Sequence, residues 1–471
     1  MANPTRPLEE LSREELIELI RGLMARVMEL EAENERLRRE GKRQAAPFSK
    51  GEKKADPKSP GRKPGQGPFR YRVRPAPGEI TAAPVAVPVS LECCPGCGGT
   101  LVGERTDFCW RTELPPLPRP EVKEYRVQVS RCQGCGWQVR GEHPEVAPGQ
   151  QGASAHRLGP RLLAAAHVLH YGVGIPLRRV PGVLGELCGI KVTQGALTQA
   201  AMRAAASGEA AERAYEILRG EVAAAPLVNF DATGWRVEGE RAQLVVYDTK
   251  QGSFYQILSS LTSEEIRAVQ GEDFKGVLGD DRAPLYDALA LRYVRQQKCL
   301  SHILRYLSEV AEKKKGAARR FSTCLSELLL EALALWRKWR EAGIAEEEYR
   351  SEARRIEKAI THQLRRRTLR DRDNQRLLDG IGAQYDRGHL LRFLDDPGVV
   401  DPTNNAAERG LRPNVIARKV SQCSKNWRGA AARTIFTSLI RTSEKRLVRS
   451  AITALMQILD TGIPPPTPTP A

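Results

Sequence analysis

Pro226-Leu227-Val228-Asn229-Phe230-Asp231 is where the chain changes character. A short apolar run closed by an acid reads as a strand that ends on Asp231. Ala242–Asp248 and Ser253–Leu258 read as two more strands, with Val237-Glu238-Gly239-Glu240-Arg241 as the hairpin between the first two. Ser263–Gln270 has helical spacing. Lys275-Gly276-Val277-Leu278-Gly279 reads as a fourth strand, delivering Asp280 and Asp281. A helix around Pro284–Leu291 and a short fifth strand near Lys298–Leu300 complete the segment.

Three strands, helix, strand, helix, strand is the order of a ribonuclease-H-like mixed-sheet core, and residues 225–300 form its first part. Residues 301–399 are helical and highly charged, as at Leu325–Trp339 and Glu346–Leu364, and read as an all-helical insertion. The core returns at 400–440 with Asp401-Pro402-Thr403-Asn404-Asn405-Ala406-Ala407-Glu408-Arg409-Gly410-Leu411-Arg412-Pro413. Asp401-Pro402 opens a turn, and Thr403 or Asn404 caps a helix. Glu408 then falls about one turn in, with Arg409 and Arg412 beside it. Residues 441–471 hold the end of an amphipathic helix that spans Thr434–Leu459, and a Pro/Thr tail read as disordered.

Upstream, residues 1–40 read as a coiled coil. Leu16, Ile20, Leu23, Val27, Leu30, Asn34 and Leu37 follow alternating steps of four and three, which implies a homo-oligomer. Residues 41–78 are rich in Lys, Arg, Pro and Gly and read as a flexible basic linker. Residues 79–145 carry Cys94-Pro95-Gly96-Cys97 and Cys132-Gln133-Gly134-Cys135. Two CxxC knuckles make a closed four-thiolate zinc ribbon, so Cys94, Cys97, Cys132 and Cys135 are expected to hold a structural Zn2+. Tyr125–Val129 between them alternates like a strand. Residues 146–224 read as helical, with Thr193 capping one helix. A helix-turn-helix DNA-binding module and a plain helical spacer both fit.

The chain has 471 residues and a net charge of +17. That excess favours a polyanionic partner, nucleic acid first. No apolar run reaches a membrane span, so a cytoplasmic protein without a membrane partner is expected.

Three acids then stand out. Phosphoryl transfer with two divalent cations needs hard oxygen ligands from separated segments, and Asp231, Asp281 and Glu408 supply them. The motifs Asp231-Ala232-Thr233-Gly234-Trp235-Arg236, Gly276 to Arg282 and Tyr286, Cys299-Leu300-Ser301-His302-Ile303-Leu304-Arg305, and Asp401 to Pro413 with Arg418-Lys419 and Trp427-Arg428-Gly429 resemble those of the insertion sequence 66 family, which are acidic-triad (DDE) transposases. The resemblance implies Mg2+- or Mn2+-dependent strand cleavage and strand transfer at transposon ends, with DNA as partner. It leaves helper proteins open. The triad carries over to Asp231, Asp281 and Glu408. Alignment on Arg282 and Tyr286 selects Asp281 over Asp280, which is then an outer acid or an exposed turn residue. Arg409, Arg412, Arg418 and Lys419 are candidate DNA contacts, and His302 and Arg282 candidate neighbours of the site. His302 as a buried core histidine fits equally well. Ala232 departs from the family, which usually has Glu there. An inactive DNA-binding remnant and a structure-selective nuclease on the same core are the alternatives.

Overall fold

The computed structural model describes residues 12, 13, most of 17–31, and then 75–467 with short gaps. Two compact units divide the chain, Met1–Pro116 and Leu117–Ala471. In the first, the described residues between 17 and 31 are helical, and Ile20, Val27 and Leu30 of the heptad seam are exposed. Leu16, Leu23, Asn34, Leu37 and linker residues 41–74 lie outside the described residues, as does the tail beyond 467. The first knuckle is a tight turn. The Cys94 N–H donates to Gly99 O at 2.9 Å and the Gly98 N–H to Cys94 O at 2.8 Å.

In the second unit the same turn recurs. The Cys132 N–H donates to Trp137 O at 2.8 Å and the Gly136 N–H to Cys132 O at 2.9 Å. It joins β1 (Val129–Arg131) to the antiparallel β2 (Gln138–Arg140). The strand expected at Tyr125–Val129 thus forms later, where the turn brings it a partner. Helices α1 (Pro160–His167), α2 (Val180–Cys188), α3 (Gln194–Ala204) and α4 (Ala210–Ala223) follow. Thr193 caps α3, its hydroxyl accepting from the Ala196 N–H at 3.2 Å.

The main sheet has five strands: β3 (Leu227–Val237), β4 (Glu240–Asp248), β5 (Ser253–Leu258), β6 (Val277–Asp280) and β7 (Arg295–Lys298), in the order β5-β4-β3-β6-β7. The β3–β4 and β4–β5 pairs are antiparallel, while β3–β6 and β6–β7 are parallel. Between β5 and β6 lies α5 (Ser263–Gln270), capped by Thr262. The first strand does not end on Asp231. It continues to Val237, because the Glu238-Gly239 turn, with φ of 56° and 86°, pairs its second half with β4. Two 3-10 turns, Pro284–Asp287 and Leu289–Leu291, stand where one helix was expected, and the fifth strand ends at Lys298 rather than starting there.

Beyond the sheet run α6 (Leu300–Lys313), α7 (Ala317–Arg340), α8 (Glu346–Leu364), α9 (Arg372–Asp386) and the short α10 (Arg392–Asp395). Leu300, Ile303 and Leu307 on α6 have one-face spacing and share a core with Leu325, Leu329, Ile356 and Ile360. The chain then forms α11 (Asn405–Ser421), α12 (Trp427–Lys445) and α13 (Ala451–Thr461). The single helix expected over Thr434–Leu459 is therefore two, α13 being newly capped by Ser450. The two faces of the sheet bury different partners. Val228, Phe230, Val245 and Tyr247 pack with α4, α12 and α13, whereas Trp235, Leu244 and Val246 pack with Ala407 and Leu411 of α11.

One polar pair lies inside the core. Lys298 and Asp280 are both fully buried, and the Lys298 Nζ is 2.7 Å from the Asp280 Oδ1 and 2.8 Å from the Gln296 Oε1. The two residues are register partners on β6 and β7, so their side chains leave the sheet side by side. Asp280 is thus neither exposed nor in a turn. Removing one member strands the other in a low-dielectric interior. Lys298→Met should lower the unfolding free energy by about 3–5 kcal/mol, and Asp280→Asn added to it should recover a large part. Urea unfolding of both variants checks this; a Lys298→Met protein as stable as wild type would show that the pair contributes nothing.

Candidate active site

The parallel register of β3 and β6 decides which acids can meet. Leu227 pairs with Val277, Val228 with Leu278 and Asn229 with Gly279. Two residues beyond this pairing stand Asp231, still in β3, and Asp281, the first residue past the end of β6. Side chains alternate in a strand, so Asp231 and Asp280 leave opposite faces of the sheet, and Asp281 lies near enough to Asp231 to affect its titration. A side chain at Gly279 would collide with the Asn229 amide, which explains the glycine before the acids. Each aspartate is oriented locally. The Asp231 Oδ1 accepts from the Ala232 N–H at 2.8 Å, and the Asp281 Oδ1 accepts from the Ala283 N–H at 2.8 Å.

The third acid comes from α11. Asn404 occupies its cap position, and Glu408 follows one turn later with its side chain 45% exposed. His302, in the first turn of α6, places its Nε2 3.6 Å from the Glu408 Oε1. Its side chain is only 18% exposed, so it is both partly buried and beside the acid.

Electrostatics ties the three acids together. Asp231 is pushed up to about 6, chiefly by burial; the Ala232 N–H opposes the shift, and the Glu408 and Asp281 carboxylates add to it. His302 is raised, first by its hydrogen bond with the Cys299 thiol and also by Glu408. For Cys299, burial raises the thiol, but hydrogen bonds with His302 and the Asn404 backbone outweigh it and the net shift is downward. Among the described residues, no group of three or more His, Cys, Asp or Glu is drawn close enough to hold a metal ion. Carboxylate oxygens are the donors that Mg2+ and Mn2+ take. Those donors fit such a cation; the thiols of the knuckles suit a softer one.

The candidate cations divide. Arg409, Arg412 and Lys419 are exposed on α11. Arg418 instead turns onto the sheet, donating to the Thr233 Oγ1 at 3.3 Å and to the Gly234 carbonyl, so it fastens α11 to β3. Arg282 lies over the Tyr306 ring, 5.8 Å from its centroid. Ala232 points to the face opposite the acids, toward the core of Phe230 and Tyr247. In the knuckles, backbone N–H groups of Gly96 and Cys97 lower the Cys94 thiol, and those of Cys135 and Gly134 lower the Cys132 thiol. Sequence reasoning did not single out Lys298, or Asn404 beyond its capping role. The signal available for Asn404 was its position directly before the acid-bearing helix.

A model of the family described as Transposase IS66 matches residues 156–432. No curated protein shows significant similarity to the chain.

Asp231 also makes stability depend on pH. Its folded pKa lies above the ordinary 3.8, so the neutral form's stabilising contribution is present below that value and lost as pH rises through about 6. Without divalent cations, Asp231→Asn should therefore stabilise the protein at pH 7.5 by about 1–3 kcal/mol, and much less at pH 4.5. Thermal melts at the two pH values test this; equal gains at both would remove the electrostatic strain from the account.

Proposed function

The chain belongs to the IS66 transposase family, and we propose that its chemistry is metal-dependent cleavage and joining of DNA strands at the ends of a mobile element. The observation that supports this reading is that Glu408 and Asp281 both lie near enough to Asp231 to raise its pKa, Asp231 standing on β3 and Asp281 directly after the parallel β6. The strand order β5-β4-β3-β6-β7 supports a ribonuclease-H-like core, with α6 to α10 inserted before the helix that carries Glu408. Two Mg2+ or Mn2+ ions would supply activation of the attacking oxygen and stabilisation of the leaving one. Asp231, Asp281 and Glu408 would hold them, with His302 beside Glu408. Arg409, Arg412 and Lys419 face outward to meet phosphates, with Arg418 holding their helix in place. The departure at Ala232 lies on the far side of β3 and leaves the acid face unchanged, which favours an active enzyme over a DNA-binding remnant.

The knuckles are assigned one structural Zn2+ on Cys94, Cys97, Cys132 and Cys135. Four thiolates leave no open position for chemistry. The exposed Ile20, Val27 and Leu30 support self-association through the N-terminal helix. Among the described residues no helix is long and apolar enough to cross a membrane.

End cleavage and strand joining by Asp231→Asn, Asp281→Asn and Glu408→Gln should fall by orders of magnitude while DNA binding persists. Asp280→Asn should weaken folding yet keep the wild-type metal dependence. Full cleavage by any of the first three variants would remove that acid from the site. Purified protein should contain one zinc per chain, and Cys132→Ser should lose it; a fully loaded Cys132→Ser protein would show the ligand set wrong.

A further inference from the structure

The three acids come from segments far apart in the chain, and something must hold their backbones in a common frame. Three hydrogen bonds do this. The Asn404 side-chain Nδ2 donates to Phe230 O at 2.6 Å. The Asn404 backbone N–H donates to the Cys299 Sγ at 3.2 Å. The Cys299 N–H donates to Asp280 O at 2.8 Å. Phe230 O belongs to the peptide that leads into Asp231, and Asp280 O to the peptide that leads into Asp281. Asn404 O in turn accepts from the N–H of Glu408 at 3.3 Å. The strut therefore touches the backbone next to the first two acids and one turn before the third. Asn404 and Cys299 are both 1% exposed, so water does not compete for these bonds.

We propose that Asn404 and Cys299 are positioning residues for the acid trio: they set the spacing between Asp231, Asp281 and Glu408 and so the affinity for divalent cation. This rests on the catalytic reading above. Neither side chain is assigned to a metal or to substrate. Asn404 acts through the peptides it holds, and Cys299 through the Asn404 peptide and the His302 ring that its thiol hydrogen-bonds, as outer partners orient metal ligands elsewhere. The amide orientation follows from the contact, since only the NH2 can donate to a carbonyl.

The test uses the full chain, with Mn2+ binding followed by calorimetry without DNA, and cleavage of end-bearing DNA followed as a function of Mn2+. Asn404→Asp keeps the shape but sets a carboxylate oxygen against Phe230 O. Its added negative charge would by itself favour the cation, so a loss of affinity reports lost positioning. Asn404→Asp and Cys299→Ala should each weaken Mn2+ binding by about tenfold to a hundredfold and shift the cation requirement for cleavage upward by a similar factor. Cys299→Ser, whose hydroxyl can still accept from Asn404, should bind Mn2+ nearly as wild type. Should Asn404→Asp fail to fold in a thermal melt, the two Cys299 variants decide the matter between them. Wild-type Mn2+ affinity in Cys299→Ala, with only a lowered melting temperature, would overturn the proposal and leave the strut a matter of stability alone. A wild-type protein that binds no Mn2+ would defeat the three-acid reading itself, and the strut's role with it.

Discussion

Everything near the acids depends on the parallel pairing of β3 with β6. The backbone of a strand has a period of two, so one residue of slip would exchange the faces of the sheet. In the observed register Asp280 leaves the face opposite Asp231, enters the core and finds Lys298, while Asp281 follows just past the strand end. Two adjacent aspartates thus have opposite environments. One is held by a single N–H at the rim, and the other sits in a fully buried ion pair. The ion pair in turn makes a slip expensive, since a shifted β6 would leave Lys298 alone in an apolar interior. Charge inside the core and charge on the acid face are in this sense the same constraint.

Much of this was legible in the sequence wherever local chemistry set the outcome. The Glu238-Gly239 hairpin, the Thr193 cap and the bounds of Ser253–Leu258 and Ser263–Gln270 all follow from residues within a few positions. Where a distant partner decided, the sequence was silent. The second half of β3 contains Thr233, Gly234 and Arg236, a poor strand by composition, and is a strand because β4 and Arg418 pair with it. Arg295-Gln296-Gln297-Lys298 carries no apolar side chain, yet three of its four residues are buried. Its amides and ammonium are satisfied by Tyr286, Leu390 and Asp280, which no periodicity analysis could supply.

The site was legible to a similar depth. Pattern could propose the three acids, and the resemblance the choice of Asp281 over Asp280. What joins them could not. Asn404 looks like an ordinary helix cap, but its side chain makes no cap hydrogen bond and reaches Phe230 instead. Cys299 looks like a small buried hydrophobe, yet its sulfur accepts from the Asn404 backbone. Arg418 reads as one more cation on a basic helix and is fastened to β3.

The long helical stretch from Leu300 to Asp395 lies between the strands and the helix that carries Glu408. A ribosome adds roughly 5–20 residues per second, so the acid from α11 emerges many seconds after Asp231 and Asp281. On the catalytic reading, a nascent chain or a prematurely terminated product already carries the basic N-terminal segments and can cling to nucleic acid, but it has no means of cutting it. On that same reading, competence to cut would arrive late in synthesis and all at once.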